Sequence, residues 1–288
     1  MMKKIKAIFE LVKFQHTIFA LPFALISMLV CADGLPSFRI IFWILMAMVS
    51  ARSTGMAFNR IVDLKFDALN PRTQHWHLPA KKIGVKSVWI FMVIMAIIFI
   101  FSAYMLNKLA FYLSPLALAI LYFYSFTKRF TLLTHLFLGL SLGIAPVGVW
   151  IAIKSQITFP PLVLGLAVLL WVAGFDIIYA TQDVKFDKEY HLHSVVVSFG
   201  IAKALLISRF MHLLMVISLL LFGFLTQLGI VFLIGVFMVS VMLIYEHSII
   251  SPSDLSKVNI AFFNINGMVS ILLFVMTCID IFTRKTGV

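Results

Sequence analysis

Charge is what this sequence has least of. Only 12% of its 288 residues are Asp, Glu, Lys or Arg, too few to solvate the surface of a water-soluble domain of this size. Cysteine is scarcer still. Cys31 and Cys278 stand alone, in or near apolar runs and with no partner at metal-ligand spacing, which excludes a disulfide framework and a zinc site. No serine- or cysteine-centred constellation points to covalent catalysis. Low-complexity segments and Pro/Gly-rich linkers are also missing, so residues 1–288 are read as one domain. A basic start, Met1 to Phe14, precedes the first apolar run, but no small-x-small cleavage site closes it, so it reads as the lead-in to a retained helix.

What fills the chain instead is hydrophobicity: 62% of residues are apolar and mean hydropathy is +1.09. These are values of a polytopic membrane protein. Apolar runs long enough to cross a bilayer as helix lie near 15–32, 38–58, 88–106, 109–126, 131–153, 161–180, 204–223, 225–246 and 259–282. The expectation is an all-α fold of nine transmembrane helices. Gly139, Gly143, Gly148 and Gly165 in spans five and six are small residues of the kind that let membrane helices approach closely.

A formal net charge of +12 would suit a nucleic-acid binder if the basic residues shared one soluble surface, and they do not. They report topology. With the N-terminus inside, eighteen of the 23 Lys and Arg residues fall in segments on the N-terminal side of the membrane, and only Arg39, Lys108, Lys154, Arg284 and Lys285 on the other. The positive-inside rule then gives a cytoplasmic N-terminus and a C-terminus on the opposite side.

The eleven acids are more informative still, because six of them lie between Asp63 and Asp67 or between Asp176 and Glu189. Asn59, Asp63 and Asp67 are four apart and share one helical face, a polar stripe continuing span two. Asp176, Asp183 and Asp187, offset by seven and four, do the same after span six. Stacked like charges repel, and a divalent cation would compensate; carboxylate and amide oxygens suit Mg²⁺, which shares its remaining positions with water and phosphate. Arg72, and Lys128 with Arg129 at the end of span four, are placed to neutralise a diphosphate. Arg52 lies about two turns before Asn59 within an apolar span, where it either faces a polar partner or reaches to the interface. His16, at the cytoplasmic end of the first span, is open in the same way between an interfacial and a site-lining role.

Here the sequence resembles a known family. Asn59-Arg-Ile-Val-Asp-Leu-Lys-Phe-Asp-Ala-Leu-Asn-Pro-Arg-Thr73 and Asp176-Ile-Ile-Tyr-Ala-Thr-Gln-Asp-Val-Lys-Phe-Asp187 are similar to the two aspartate-rich signatures of the UbiA family of intramembrane aromatic prenyltransferases. Phe19-Ala-Leu-Pro-Phe-Ala24 and Tyr124-Ser-Phe-Thr-Lys128 match as well, so the likeness covers most of the chain. The flanks Ala51 to Asn59 and Leu192-His-Ser194 look most like the 4-hydroxybenzoate polyprenyltransferase-like branch.

The resemblance implies nine helices around a central cavity open to the cytoplasmic side. It also implies transfer of a polyprenyl group from polyprenyl diphosphate to 4-hydroxybenzoate or a related carboxylated aromatic, in ubiquinone or menaquinone synthesis. Two Mg²⁺ ions would bridge the diphosphate, one on Asn59, Asp63 and Asp67, the other on Asp183 and Asp187. Arg72 and Lys128 would contact phosphate oxygens, Tyr124 and Ser125 would line the cavity near the reactive carbon, and Tyr179 would join the substrate-binding set. Arg52 would receive the acceptor's carboxylate, with Asp176 deeper, orienting the acceptor or its phenol. One stretch departs from the family pattern: Gln74-His-Trp-His-Leu-Pro79 puts Trp76 where an arginine is usual, leaving His75, His77, Lys81 or Lys82 as alternative diphosphate ligands. Other readings are a prenyltransferase of the futalosine menaquinone route, another sibling making haem O or a lipid ether, and a cation-coupled transporter, which would place its acids near the bilayer midplane.

Overall fold

A computed structural model describes residues 17–286. The expected all-α architecture is what forms: no named strand occurs among the described residues, and the sole bridge is the Ser251–Asp254 turn. The elements are α1 (Thr17–Ala32), α2 (Phe38–Val62), α3 (Leu64–Leu69), α4 (Val85–Leu106), α5 (Lys108–Thr127), α6 (Thr134–Lys154) and α7 (Phe159–Ala180). After these come a 3₁₀ turn (Thr181–Asp183), α8 (Val184–Glu189), α9 (Val195–Leu225), α10 (Ile230–Ser248), a π-helical segment (Ile260–Ile265) and α11 (Asn266–Thr286).

Eight of the described helices are long and apolar enough to cross a membrane. The first, expected over 15–32, is helical from the first described residue, Thr17, to Ala32. Residues 1–16, with His16 and the basic start, lie outside the described residues. Along α9 the side chains Leu206, Phe210, Leu213, Ile217, Leu220, Leu221 and Phe224 are all exposed. An apolar stripe of that size facing outward is a lipid-facing surface.

Among the described residues the chain packs as two compact units, residues 38–126, and residues 18–37 with 127–286. In the first, α2 lies along α4. Thr54 Oγ1 donates to the Met92 carbonyl at 3.0 Å and meets the Tyr122 hydroxyl at 2.6 Å, which ties α2 to α4 and α5. Phe58 stacks on Tyr122 with centroids 4.4 Å apart.

The second unit is built on α7, whose Trp171 is fully buried among Phe19, Phe23 and Phe175. Glycine sets how close α6 comes to it. A Cβ on Gly143 would stand 2.6 Å from the Gly165 carbonyl oxygen, one on Gly165 2.7 Å from that of Gly143, and one on Gly139 would collide with the Leu169 backbone. Three of the four expected small residues therefore let two backbones touch; Gly148 faces open space.

Two sequence expectations need correction in this unit. The span expected over 225–246 runs on as helix to Ser248, so Glu246 and His247 lie inside the last turns of α10, and Glu246 is fully buried. Hydrophobic count alone could not see this, because α10 simply carries two polar residues past the end of its apolar run. The seventh span begins earlier than expected, at Val195, with the backbone break at Gly200, whose φ of 76° only glycine adopts cheaply.

Candidate active site

The first acidic stripe is bent rather than continuous. Helix α2 stops at Val62, Asp63 takes non-helical angles (φ −88°, ψ 1°) as the cap of α3, and Asp67 sits in the first turn of α3. The one-face spacing survives the bend. Asp63 N–H still bonds the Asn59 carbonyl at 2.9 Å, and Asp67 N–H the Asp63 carbonyl at 2.8 Å. The Asn59 amide donates to Asp63 Oδ2 at 2.8 Å. Both carboxylates are buried, at 6% and 8% exposure, which a solvated acidic loop would not show. Burying two acids this close is costly unless cations reach them.

One cation is already there: Arg60 Nη1 lies 3.5 Å from Asp67 Oδ2, with both side chains nearly buried. The segment that follows is a series of turns fixed by side chains. Asn70 Oδ1 accepts from Arg72 N–H at 2.9 Å, and Thr73 Oγ1 donates to the Asp67 carbonyl at 2.9 Å. Arg72 is half-buried on this turn, while His75, Lys81 and Lys82 are exposed. Further up α2, Arg52 is half-buried and its Nε has no hydrogen-bond partner among the described residues. A guanidinium with a buried, unmatched N–H has donor capacity to spare for an anion. Tyr124 and Ser125 close α5, Ser125 buried and Tyr124 half-buried.

In the second unit Asp183 and Asp187 are half-buried on the 3₁₀ turn and α8, so the second stripe is also broken, by the tighter turn Thr181–Asp183. Lys128 is half-buried just past α5, its carbonyl accepting from His193 N–H at 2.7 Å. Tyr179 stacks face to face on Phe262, centroids 4.1 Å apart. Asp176 has a partner that sequence reasoning missed. His135 Nδ1, on α6, is 2.6 Å from Asp176 Oδ2; with the proton on Nδ1 this is an N–H···O bond from a buried ring to a carboxylate. The signal was available, since a histidine within an apolar span demands a polar neighbour, but the two lie 41 residues apart.

No three His, Cys, Asp or Glu side chains converge into a metal-binding group among the described residues. The donor sets are carboxylate pairs, with the Asn59 amide beside the first. That is the chemistry Mg²⁺ takes when waters and substrate phosphates complete its shell, so the residues fit the ion.

A helical, multi-pass protein with aspartate pairs just past the ends of two spans is by class an intramembrane transferase. The model of the UbiA prenyltransferase family matches residues 20–268. The chain belongs to that family. It is 28% identical to the 4-hydroxybenzoate octaprenyltransferase of Francisella tularensis subsp. novicida (strain U112) over 96% of this chain and 98% of that one. Among solved structures it is similar to the apo UbiA homologue of Aeropyrum pernix K1, with 32% identity, a TM-score of 0.84, and 92% and 98% of the two chains covered. It shares the fold of the Archaeoglobus fulgidus UbiA homologue bound to GPP and Mg²⁺, at 20% identity and a TM-score of 0.73, covering 96% of this chain and 99% of that one.

Proposed function

We propose that this prenyltransferase moves a polyprenyl group from a polyprenyl diphosphate to a small carboxylated aromatic, 4-hydroxybenzoate or a close relative, in quinone synthesis. The observation that carries the reading is the burial of Asp63 and Asp67 beside Asn59: hard oxygens held out of water in a membrane protein, matched to a metal-bound diphosphate. The Francisella relative's name supports the acceptor, and the unmatched Nε of Arg52 suits its carboxylate.

In this reading Asn59, Asp63 and Asp67 hold one Mg²⁺, and Asp183 and Asp187 another. The bound ions supply charge neutralisation for the departing diphosphate. Arg72 and Lys128 hold phosphate oxygens, Tyr124, Ser125 and Tyr179 line the prenyl side, and Asp176 orients the acceptor. Loss of diphosphate leaves an allylic cation at the first prenyl carbon, the aromatic ring attacks it, and the ring proton departs. The protein contributes fixed charges and exclusion of water. The distribution of Lys and Arg supports an inner-membrane location with the N-terminus and both acidic segments on the cytoplasmic side.

Membranes containing the protein, incubated with labelled prenyl diphosphates and a panel of acceptors, are expected to prenylate 4-hydroxybenzoate or a near analogue only when Mg²⁺ is present. Transfer to a haem or a glycerol phosphate, with no aromatic acid prenylated, would overturn the assignment. The His135–Asp176 pair gives a second test. His135→Asn keeps an N–H donor for Asp176 and is expected to hold the acceptor KM within about threefold, whereas His135→Leu raises it by about tenfold, the worth of one charge-assisted hydrogen bond. Equal KM values in the two variants would remove Asp176 from the acceptor's side.

A further inference from the structure

The departure at Trp76 has a structural answer. The Arg60 guanidinium lies over the Trp76 ring, 4.0 Å from its centroid, and that of Arg72 is 5.8 Å from the same centroid. Arg60 also reaches Asp67 at 3.5 Å, with 11% and 12% of the two side chains exposed. One indole therefore serves two guanidinium groups beside a buried carboxylate. Two cations so close would splay apart in water. A tryptophan face, the best of the aromatic partners for a cation, opposes that, and guanidinium, weakly hydrated and planar, loses little by lying against it.

The backbone fixes the ring in place. Trp76 N–H bonds the Thr73 carbonyl at 2.9 Å, Ala80 N–H bonds the Trp76 carbonyl at 2.9 Å, and Thr73 is itself anchored to the Asp67 carbonyl. The ring, the two arginines and the acid stripe are thus joined by short covalent and hydrogen-bonded paths within one turn-rich segment.

We infer that Trp76 is a positioning residue for the diphosphate: its face orders Arg60 and Arg72 at the edge of the Asp63–Asp67 stripe. It thereby supplies through two gathered cations what a further arginine at its own position would supply directly. This rests on the reading of the stripe as a diphosphate site. Trp76 itself touches no phosphate.

The test uses full-length protein in lipid nanodiscs and titrates magnesium pyrophosphate by calorimetry, alongside steady-state prenyl transfer. Trp76→Leu is expected to weaken pyrophosphate binding about tenfold and to raise the KM for prenyl diphosphate by a similar factor, with kcat within about twofold. Trp76→Phe, which keeps an aromatic face, stays within about threefold of wild type. Arg60→Gln, which leaves the indole untouched, should reproduce the Leu variant's loss, and the two together should cost little more than either alone. Pyrophosphate affinity unchanged in Trp76→Leu or Arg60→Gln, or equal losses in the Leu and Phe variants, would overturn the inference. Should Trp76→Leu fail to fold, the Arg60→Gln arm decides alone. A wild-type protein that binds pyrophosphate in this Trp76-dependent way yet prenylates no acceptor would support the inference and overturn the function instead.

Discussion

Replacing Asp63 by alanine is expected to lower prenyl transfer by about 10²- to 10³-fold, as is replacing Asp183, the range seen when one fixed electrostatic contact to a reacting centre is lost. Asp63 is the sharper case. It is 6% exposed, it caps α3, and its carboxylate takes the Asn59 amide at 2.8 Å, so alanine removes a ligand charge and unseats the neighbouring amide together. Asp63→Asn separates the two effects: shape and most hydrogen bonding remain while the charge is gone. If the charge is what matters, Asn is nearly as poor as Ala, and raising Mg²⁺ recovers little. Asp254 provides the control, since it lies on the exposed Ser251–Asp254 turn and its replacement should leave transfer unchanged. The measurement is incorporation of a labelled prenyl group in membranes, normalised to the amount of protein. Transfer near wild type in Asp63→Ala or Asp183→Ala would end the two-ion proposal.

How far the sequence alone carries differs between the fold and the site. Membrane-spanning runs are legible because their length is set by the bilayer and their boundaries by rare polar punctuation. Each expected span accordingly meets a helix, though α9 starts nine residues before its predicted first residue. Asp63, Asp67, Asp183 and Asp187 stand out for the same reason, being four of only eleven acids. Periodicity does not carry breaks: the four-residue spacing puts Asp63 and Asp183 on continuous stripes, yet each lies at a junction where an apolar helix gives way to a short polar one. Nor does it carry partners distant in sequence. The bond from Asp176 to His135, and the place of Trp76 beneath Arg60, depend on how helices and turns are rotated against each other. An apolar helix surrounded by lipid and other apolar helices gives almost no amphipathic signal from which that rotation could be read.

The same blindness hid the polar network that holds the second unit together, and the largest stability effect is expected there. Asn266, the first residue of α11, is fully buried. Its side-chain oxygen accepts from Trp171 Nε1–H at 2.7 Å, and its amide nitrogen donates to Glu246 Oε1 at 2.8 Å and to the Ala261 carbonyl at 2.9 Å. One amide thus joins α7, α10 and the π-helical segment, whose Ala261 carbonyl also accepts from the Asn266 backbone N–H. Asn266→Leu would strand an indole N–H and a carboxyl oxygen in the buried interior, while the Ala261 carbonyl keeps the backbone N–H of residue 266. At about 1–3 kcal/mol per buried orphaned group, reduced because the unfolded chain in a bilayer also finds partners, the net cost should reach about 3 kcal/mol. Leucine's greater affinity for lipid does not offset this, since the position is packed against protein. Glu246→Gln keeps an acceptor for Asn266 and should cost much less. The combined Asn266→Leu and Glu246→Leu protein should recover part of the loss, because removing both partners leaves one fewer group unsatisfied. Thermal unfolding of the purified protein in detergent reads all three variants. If Asn266→Leu melts with the wild type, the amide is a bystander and α10 and α11 are held by their other contacts, apolar packing and the bonds of Asp280 to Gly229 and Phe232 N–H among them.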